Sequence, residues 1–173
     1  MEWQDALPLF RSLCSGMRAL HEEGIIHRTL GLQSMFLHET PGGIVPKIME
    51  SPLSGIHGRD AYLRAGTMVG VPDHMAPEQV RLAMGMGATH DERIDVYSMG
   101  SVLYRTLAGR SLFPSVEPTE AIVARIHEMP ADLRSINSAV PAALGAAVMK
   151  AVAAEPEFRY QSIREMGEAL SSI

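Results

Sequence analysis

The stretch Ile25-Ile26-His27-Arg28-Thr29-Leu30-Gly31-Leu32-Gln33-Ser34-Met35-Phe36-Leu37 decides how the rest of the chain reads. Two short apolar runs, Ile25-Ile26 and Met35-Phe36-Leu37, flank a polar loop and are too brief for helices, so they read as extended. Upstream, Phe10, Leu13, Cys14, Met17 and Leu20 fall at helical spacing, predicting a helix over 7–23 that Gly24 stops. Downstream, Thr40-Pro41-Gly42-Gly43 is a turn signal, and 44–49 is a third extended piece. A hairpin of 35–37 with 44–49 is therefore predicted. Residues 50–76 keep no period and hold Pro52, Gly55, Gly58, Gly66, Gly70 and Pro72, which predicts a long irregular loop of the kind that is usually functional. Helices are predicted over 77–84, over the strongly apolar and central 94–107, over 119–126 with Thr119 as its cap, over 141–153 with Pro141 in its first turn, and over 162–171.

Bulk composition narrows the class. With 173 residues, 46% of them hydrophobic, the chain can bury a substantial core as one domain. Its 15 Gly and 11 Pro are near average usage, so nothing predicts general disorder. A net charge of −5 with no Lys/Arg block argues against a nucleic-acid partner. The most apolar stretch, 142–154, is cut by Lys150 and is too short to span a bilayer. The acidic start, MEWQDALPLF, carries no signal-peptide pattern. A single cysteine, Cys14, excludes an internal disulfide, fits a reducing compartment and reads as a buried hydrophobe. The expectation is a soluble, cytoplasmic protein with no membrane segment. The histidines are scattered without metal-ligand spacing, so no metal site is expected.

Five segments then carry a resemblance. His27-Arg28-Thr29-Leu30-Gly31-Leu32-Gln33-Ser34 is similar, position by position, to the protein-kinase loop H-R-D-L-K-P-E-N. Glu50-Ser51-Pro52 falls where that family has D-F-G. The run 70–78, ending Met75-Ala76-Pro77-Glu78, resembles G-T-P-x-Y-M-A-P-E. Asp95-Val96-Tyr97-Ser98-Met99-Gly100 resembles the start of the family's central helix. Glu155-Pro156-Glu157-Phe158-Arg159-Tyr160 resembles the D-P-x-x-R-Y turn of bacterial-type Ser/Thr kinases. The order and spacing hold over nearly the whole chain. The fold class implied is mostly α: a protein-kinase-like large, C-terminal lobe over 1–173, with a small β-hairpin near the catalytic loop.

The resemblance assigns structural roles to the positions that match. Glu78 pairs with Arg159 and ties the activation segment to the lobe, Asp95 accepts hydrogen bonds from the loop backbone, and His27 packs beneath the loop. The plainer readings are a solvated Glu78 and a helix-start Asp95. Arg28 would meet a phosphorylated residue, with Thr67 the candidate phosphosite and Ser54 the weaker one; its plainer reading is a local carboxylate or carbonyl contact.

The positions that depart are those the chemistry needs. Phosphoryl transfer requires a carboxylate to take the hydroxyl proton, metal ligands and a cation on the phosphate. Thr29 stands at the catalytic Asp, Gly31 at the Lys, Ser34 at the metal-ligating Asn, and Glu50 at the metal-binding Asp, so Ser34 and Glu50 are vestigial Mg-ATP positions. Ser51, Pro52 and Val71 replace the Phe, Gly and Thr that would pack and hinge around them. No Gly-rich phosphate loop precedes the first helix, so the small ATP-binding lobe is expected to be absent. The implied function is a pseudokinase: an inactive kinase-like module that binds a protein partner, with no cofactor. The alternative is a divergent Ser/Thr kinase using ATP and Mg with a small lobe outside this chain. A third reading is a degenerate fragment without activity. The stretch 83–87, Ala-Met-Gly-Met-Gly, is a further candidate for an adaptable binding surface, its plainer readings being a flexible loop or core filler.

Overall fold

The computed structural model describes residues 1–49, 72–88, 91–115 and 117–173. Among them the chain forms α1 (Trp3–Glu22), β1 (Met35–Thr40), β2 (Gly43–Ile48), α2 (Pro77–Ala83), α3 (Arg93–Ala108), α4 (Pro118–His127), α5 (Leu133–Ile136), α6 (Ala142–Ala151) and α7 (Ile163–Ser171). Short 3-10 turns stand at Leu32–Ser34, Pro72–His74 and Pro156–Phe158.

The central helix is α3, as its apolar composition predicts. Ile94, Val96, Met99, Val102, Leu103 and Tyr104 are fully buried, and α1, α5, α6, α7 and the Pro72–His74 turn pack around it. Gly100 is where α3 and α6 cross most closely. A Cβ there would lie 2.6 Å from Cα-borne Cβ of Ala151 and 3.1 Å from Val152 Cγ1. Cys14 belongs to the same core, and burial pushes its thiol up to about 12, which leaves a packing group rather than a nucleophile.

Gly24 ends α1 as expected, at φ 74°, where the left-handed region is open to glycine. The amides of Gly24 and Ile25 turn back onto the carbonyls of His21 and Leu20. The hairpin is antiparallel and longer than predicted on the β1 side, pairing Met35 with Ile48 through Thr40 with Gly43. Met35 and Ile48 pack on the core, while Phe36, Leu37, Ile44 and Val45 remain exposed.

Several boundaries differ from the sequence reading. Helix α1 begins at Trp3 rather than residue 7, because Ala6 and Leu7 are buried and hold the turn before Pro8 in place. Helix α4 starts at Pro118 with Glu117 in the cap position, so Thr119 is not the cap. Pro141 is the cap of α6 rather than a first-turn residue, and the helix stops at Ala151. The four-residue α5 was not predicted; Asp132 caps it by accepting from Arg134 N at 2.9 Å and Ser135 N at 3.2 Å. Of the long irregular loop over 50–76, only 72–76 lies among the described residues.

Candidate functional site

Asp95 is the hub. It sits in the first turn of α3, fully buried, and its carboxylate faces the end of α1 and the loop that follows. Oδ2 accepts from His27 N at 2.8 Å, and Oδ1 accepts from Arg28 N at 2.9 Å. His21 Nε2, in the last turn of α1, donates to Oδ2 at 2.9 Å. A buried carboxylate is stable only when so satisfied. Its charge is spread over three donors that together clamp residues 27–28.

The clamp holds an unusual backbone. Arg28 has φ 67°, a left-handed conformation that a non-glycine residue adopts at a cost of about 1–3 kcal/mol. The surroundings over-determine it. Its N–H is on Asp95, and its carbonyl accepts from Gln79 Nε2 at 2.8 Å. Gln79 also accepts from Ala76 N at 3.0 Å, so one buried amide joins α2 to the loop. His27 is fully buried beneath the loop and donates from Nε2 to Met49 O at 2.9 Å, reaching the end of the hairpin.

The remaining loop positions form a closed turn. Thr29, half-buried, donates its N–H to His27 O at 2.9 Å. Ser34 Oγ donates to Gly31 O at 2.8 Å and accepts from Gly31 N at 2.9 Å. The hydroxyl hydrogen of Ser34 is thus already used within the Leu32–Ser34 turn. From 25 to 38 the chain has no Asp or Glu, so this loop offers hydroxyl and carbonyl oxygens but no carboxylate. Glu50, Ser51, Pro52, Ser54, Thr67 and Val71 lie outside the described residues. Within the described residues, no group of three or more His, Cys, Asp or Glu is placed to hold a metal ion.

A second anchor lies on the far side of α2. Glu78 and Arg159 form a bidentate pair, Nη1 to Oε1 at 2.6 Å and Nη2 to Oε2 at 2.7 Å, with side chains 4% and 0% exposed. Arg159 Nε donates to Ala153 O at 2.8 Å, Nη2 also to Ala154 O at 2.9 Å, and Nη1 also to Arg93 O at 3.2 Å. Its guanidinium lies 4.9 Å from the centre of the Tyr97 ring. Every donor of the guanidinium has a partner, the condition under which a buried charge is tolerated. Burial, opposed by Arg125 and Arg159 and reinforced by Glu78, pushes the Tyr97 hydroxyl up to about 12.

Between the two anchors, His74 docks the end of the segment 72–76 onto α3. Its Nδ1 is 2.9 Å from Ser101 Oγ, and its carbonyl accepts from Ser98 Oγ at 2.9 Å. Ser101 Oγ donates to Asp73 O at 3.2 Å, so the hydroxyl accepts from the imidazole N–H. Burial lowers the His74 pKa to about 4; Asp73 works against this, while Arg105 and Arg125 add to it.

Of the residues singled out by sequence, the structure brings together His27, Arg28, Thr29, Gly31, Ser34 and Asp95 at one site and Glu78 with Arg159 at another, both flanking α2. His21, Gln79 and His74 were not singled out as participants. Two signals were available. His21 lies four residues after Met17 and seven after Cys14, on the buried face of α1. Gln79 stands three residues after the α2 cap, where a Gln or Glu commonly turns back on the helix start.

Comparison with known proteins supplies the family. Residues 1–159 match the protein kinase domain. The chain is 34% identical over 162 residues to the serine/threonine-protein kinase Pkn1 of Myxococcus xanthus, covering 91% of this chain and 22% of that protein. It is 29% identical over 164 residues to the serine/threonine-protein kinase PknB of Mycobacterium leprae, covering 94% and 25%. It is 32% identical over 155 residues to the DNA damage-responsive serine/threonine-protein kinase RqkA of Deinococcus radiodurans, covering 89% and 21%. The chain therefore spans between a fifth and a quarter of the length of these relatives. With the loop clamp, the two anchors and the hairpin arranged as described, this chain belongs to the protein kinase domain family.

Proposed function

We propose that the chain is a kinase-like large lobe without phosphoryl-transfer chemistry, acting as a protein-binding or regulatory module. The observation that carries this reading is the loop around Thr29. A threonine hydroxyl is a poor base near neutral pH, and no carboxylate stands in 25–38 to replace it. Gly31 provides no cation for the phosphate. Ser34, at the metal-ligand position, is an uncharged oxygen that already accepts from Gly31 N, which occupies one of its lone pairs. Thr29, Gly31 and Ser34 offer neither a carboxylate nor a cation and do not fit a magnesium nucleotide. The scaffold residues Asp95, Glu78 and Arg159 have the opposite character, because each is buried with its polar atoms satisfied. A frame that stays fully satisfied while its loop lacks the groups for transfer fits a surface used for binding. Exposed Phe36 and Val45 on one face of the hairpin and Leu37 and Ile44 on the other supply apolar surface of that kind. A reducing, cytoplasmic setting is part of the same reading, supported by the lone buried Cys14.

The competing reading is a divergent Ser/Thr kinase completed by a small lobe from elsewhere. The kinase names of the relatives and the retained frame favour it. Thermal denaturation with increasing Mg-ATP separates the two. A ligand at a hundred times its Kd adds about 2.7 kcal/mol, or about 5–11 °C in a domain of this size. The expected result for this chain is no shift. A concentration-dependent rise would favour the kinase.

A further inference from the structure

The two edges of the hairpin differ chemically. One bond beyond the ladder sets its parity: Met49 N donates to Ser34 O at 2.8 Å. Antiparallel pairs alternate, so Phe36–Lys47, His38–Val45 and Thr40–Gly43 exchange their hydrogen bonds, whereas Met35–Ile48, Leu37–Pro46 and Glu39–Ile44 turn N–H and C=O outward. Along β2 the outward residues are Ile44, Pro46 and Ile48. Pro46 has no N–H and is buried where β2 packs on α1, so this edge lacks its middle donor. Along β1 the Met35 N–H already donates to Leu32 O in the preceding turn, but the Met35 carbonyl and the N–H and C=O of Leu37 and Glu39 face outward, and among the described residues none bonds to them. Phe36 and Leu37 beside them are 55% and 48% exposed. β1 has no proline, lysine or bulge, and among the described residues no covering element; its one charge is Glu39 near the turn.

The geometry points to β1 as a self-association edge, on which a second copy of this chain adds its own β1 in antiparallel register to make one four-stranded sheet. This names the partner of the module proposed above and rests on that protein-binding reading. The occupant follows from the residues. A two-fold axis at Leu37 sets Leu37 opposite its equivalent, Met35 opposite Glu39 of the other copy, and Phe36 opposite His38. The Leu37 pair exchanges two hydrogen bonds and each Met35–Glu39 pair adds one, from Glu39 N–H to Met35 O; apolar side chains meet at the centre, and no charge faces its own sign. The hairpin's Glu39 and Lys47 are one charge of each sign, so the patch as a whole does not repel a copy of itself.

Sedimentation of the 173-residue chain over a concentration series tests this, with Leu37→Lys, Leu37→Pro and Val45→Lys alongside. Leu37→Lys sets like charges opposite each other at the axis. Leu37→Pro removes one outward N–H and no ladder bond. Val45→Lys adds the same charge to an exposed residue of β2 whose backbone is engaged with β1. The average mass of the native chain and of Val45→Lys is expected to rise toward twice the monomer as concentration increases. Both Leu37 variants are expected to stay at monomer mass, with Leu37→Lys keeping its melting temperature and circular dichroism. A native chain that stays monomeric throughout overturns the proposal; so does a dimer that survives Leu37→Lys, or one equally lost in Val45→Lys. Monomeric behaviour would leave the non-catalytic reading standing, whereas phosphate transfer by the chain would remove that reading without altering this sedimentation result.

Discussion

Removing one partner of the Glu78–Arg159 pair should be among the most damaging single changes to this fold, and the two directions should differ. After Glu78→Ala the buried guanidinium keeps the carbonyls of Ala153, Ala154 and Arg93 and the Tyr97 ring. Those dipoles offset part of the lost charge partner, placing the cost near 3 kcal/mol, at the low end of the range for halving a buried ion pair. Arg159→Ala leaves a buried carboxylate and three carbonyls without their donor, which places it near 5 kcal/mol or above. For a chain of this length, about 3 kcal/mol lowers Tm by about 6–12 °C. Glu78→Leu with Arg159→Met removes both charges and keeps volume, so the double variant should lose less stability than either alanine variant. Urea denaturation followed by circular dichroism reads this as a fall in midpoint at unchanged slope. The reasoning is refuted if Glu78→Ala costs less than about 1 kcal/mol, or if the Glu78→Ala and Arg159→Ala costs simply add in the double alanine variant, since contacting partners must couple.

Acid should destabilise the fold through His74. Its pKa is about 4 in the folded chain against an ordinary 6.5, so between those values the unfolded chain holds more protons and stability falls as pH falls. The full loss is about 3 kcal/mol, and His74→Gln should flatten the slope of stability against pH in that window, as measured by urea midpoints at several pH values. Gly100→Ala should cost about 1–3 kcal/mol, because its methyl would overlap Ala151 at the α3–α6 crossing; a melting temperature equal to that of the native chain would contradict the packing described. Asp95→Asn should loosen the loop as well as weaken the fold, since Asp95 is the acceptor for His27 N, Arg28 N and His21 Nε2. Faster hydrogen exchange at the amides of 27–29 than in Gly100→Ala, when the two are compared at equal global stability, is the expected readout.

The elements that sequence revealed are those whose cause is local. The apolar face of α1, the Gly24 stop, the turn at 40–43 and the apolar run of α3 each depend on residues within a few positions of one another. Helix α5 escaped because four residues cannot display a period, although Asp132 ahead of Ser135 is a capping pattern in its own right. Contacts across the fold were legible only through resemblance. Nothing in spacing joins Glu78 to Arg159, 81 positions away, whereas the family motifs place them together. Where the resemblance assigned no role, as for His21 and Gln79, the contact was missed. His74 stands at a motif position that it does not match, and its burial came from α3 and α4 packing over it rather than from any local property of a histidine.

Transfer of labelled phosphate from Mg-ATP to a generic basic protein is the most direct test of whether this frame retains chemistry. The expected result is no incorporation above a no-enzyme control, in the native chain and in Ser34→Ala alike, because neither contains a carboxylate at the position of Thr29. Incorporation above that control, abolished by Thr29→Ala or Ser34→Ala, would show that the loop performs the transfer and would contradict the non-catalytic reading.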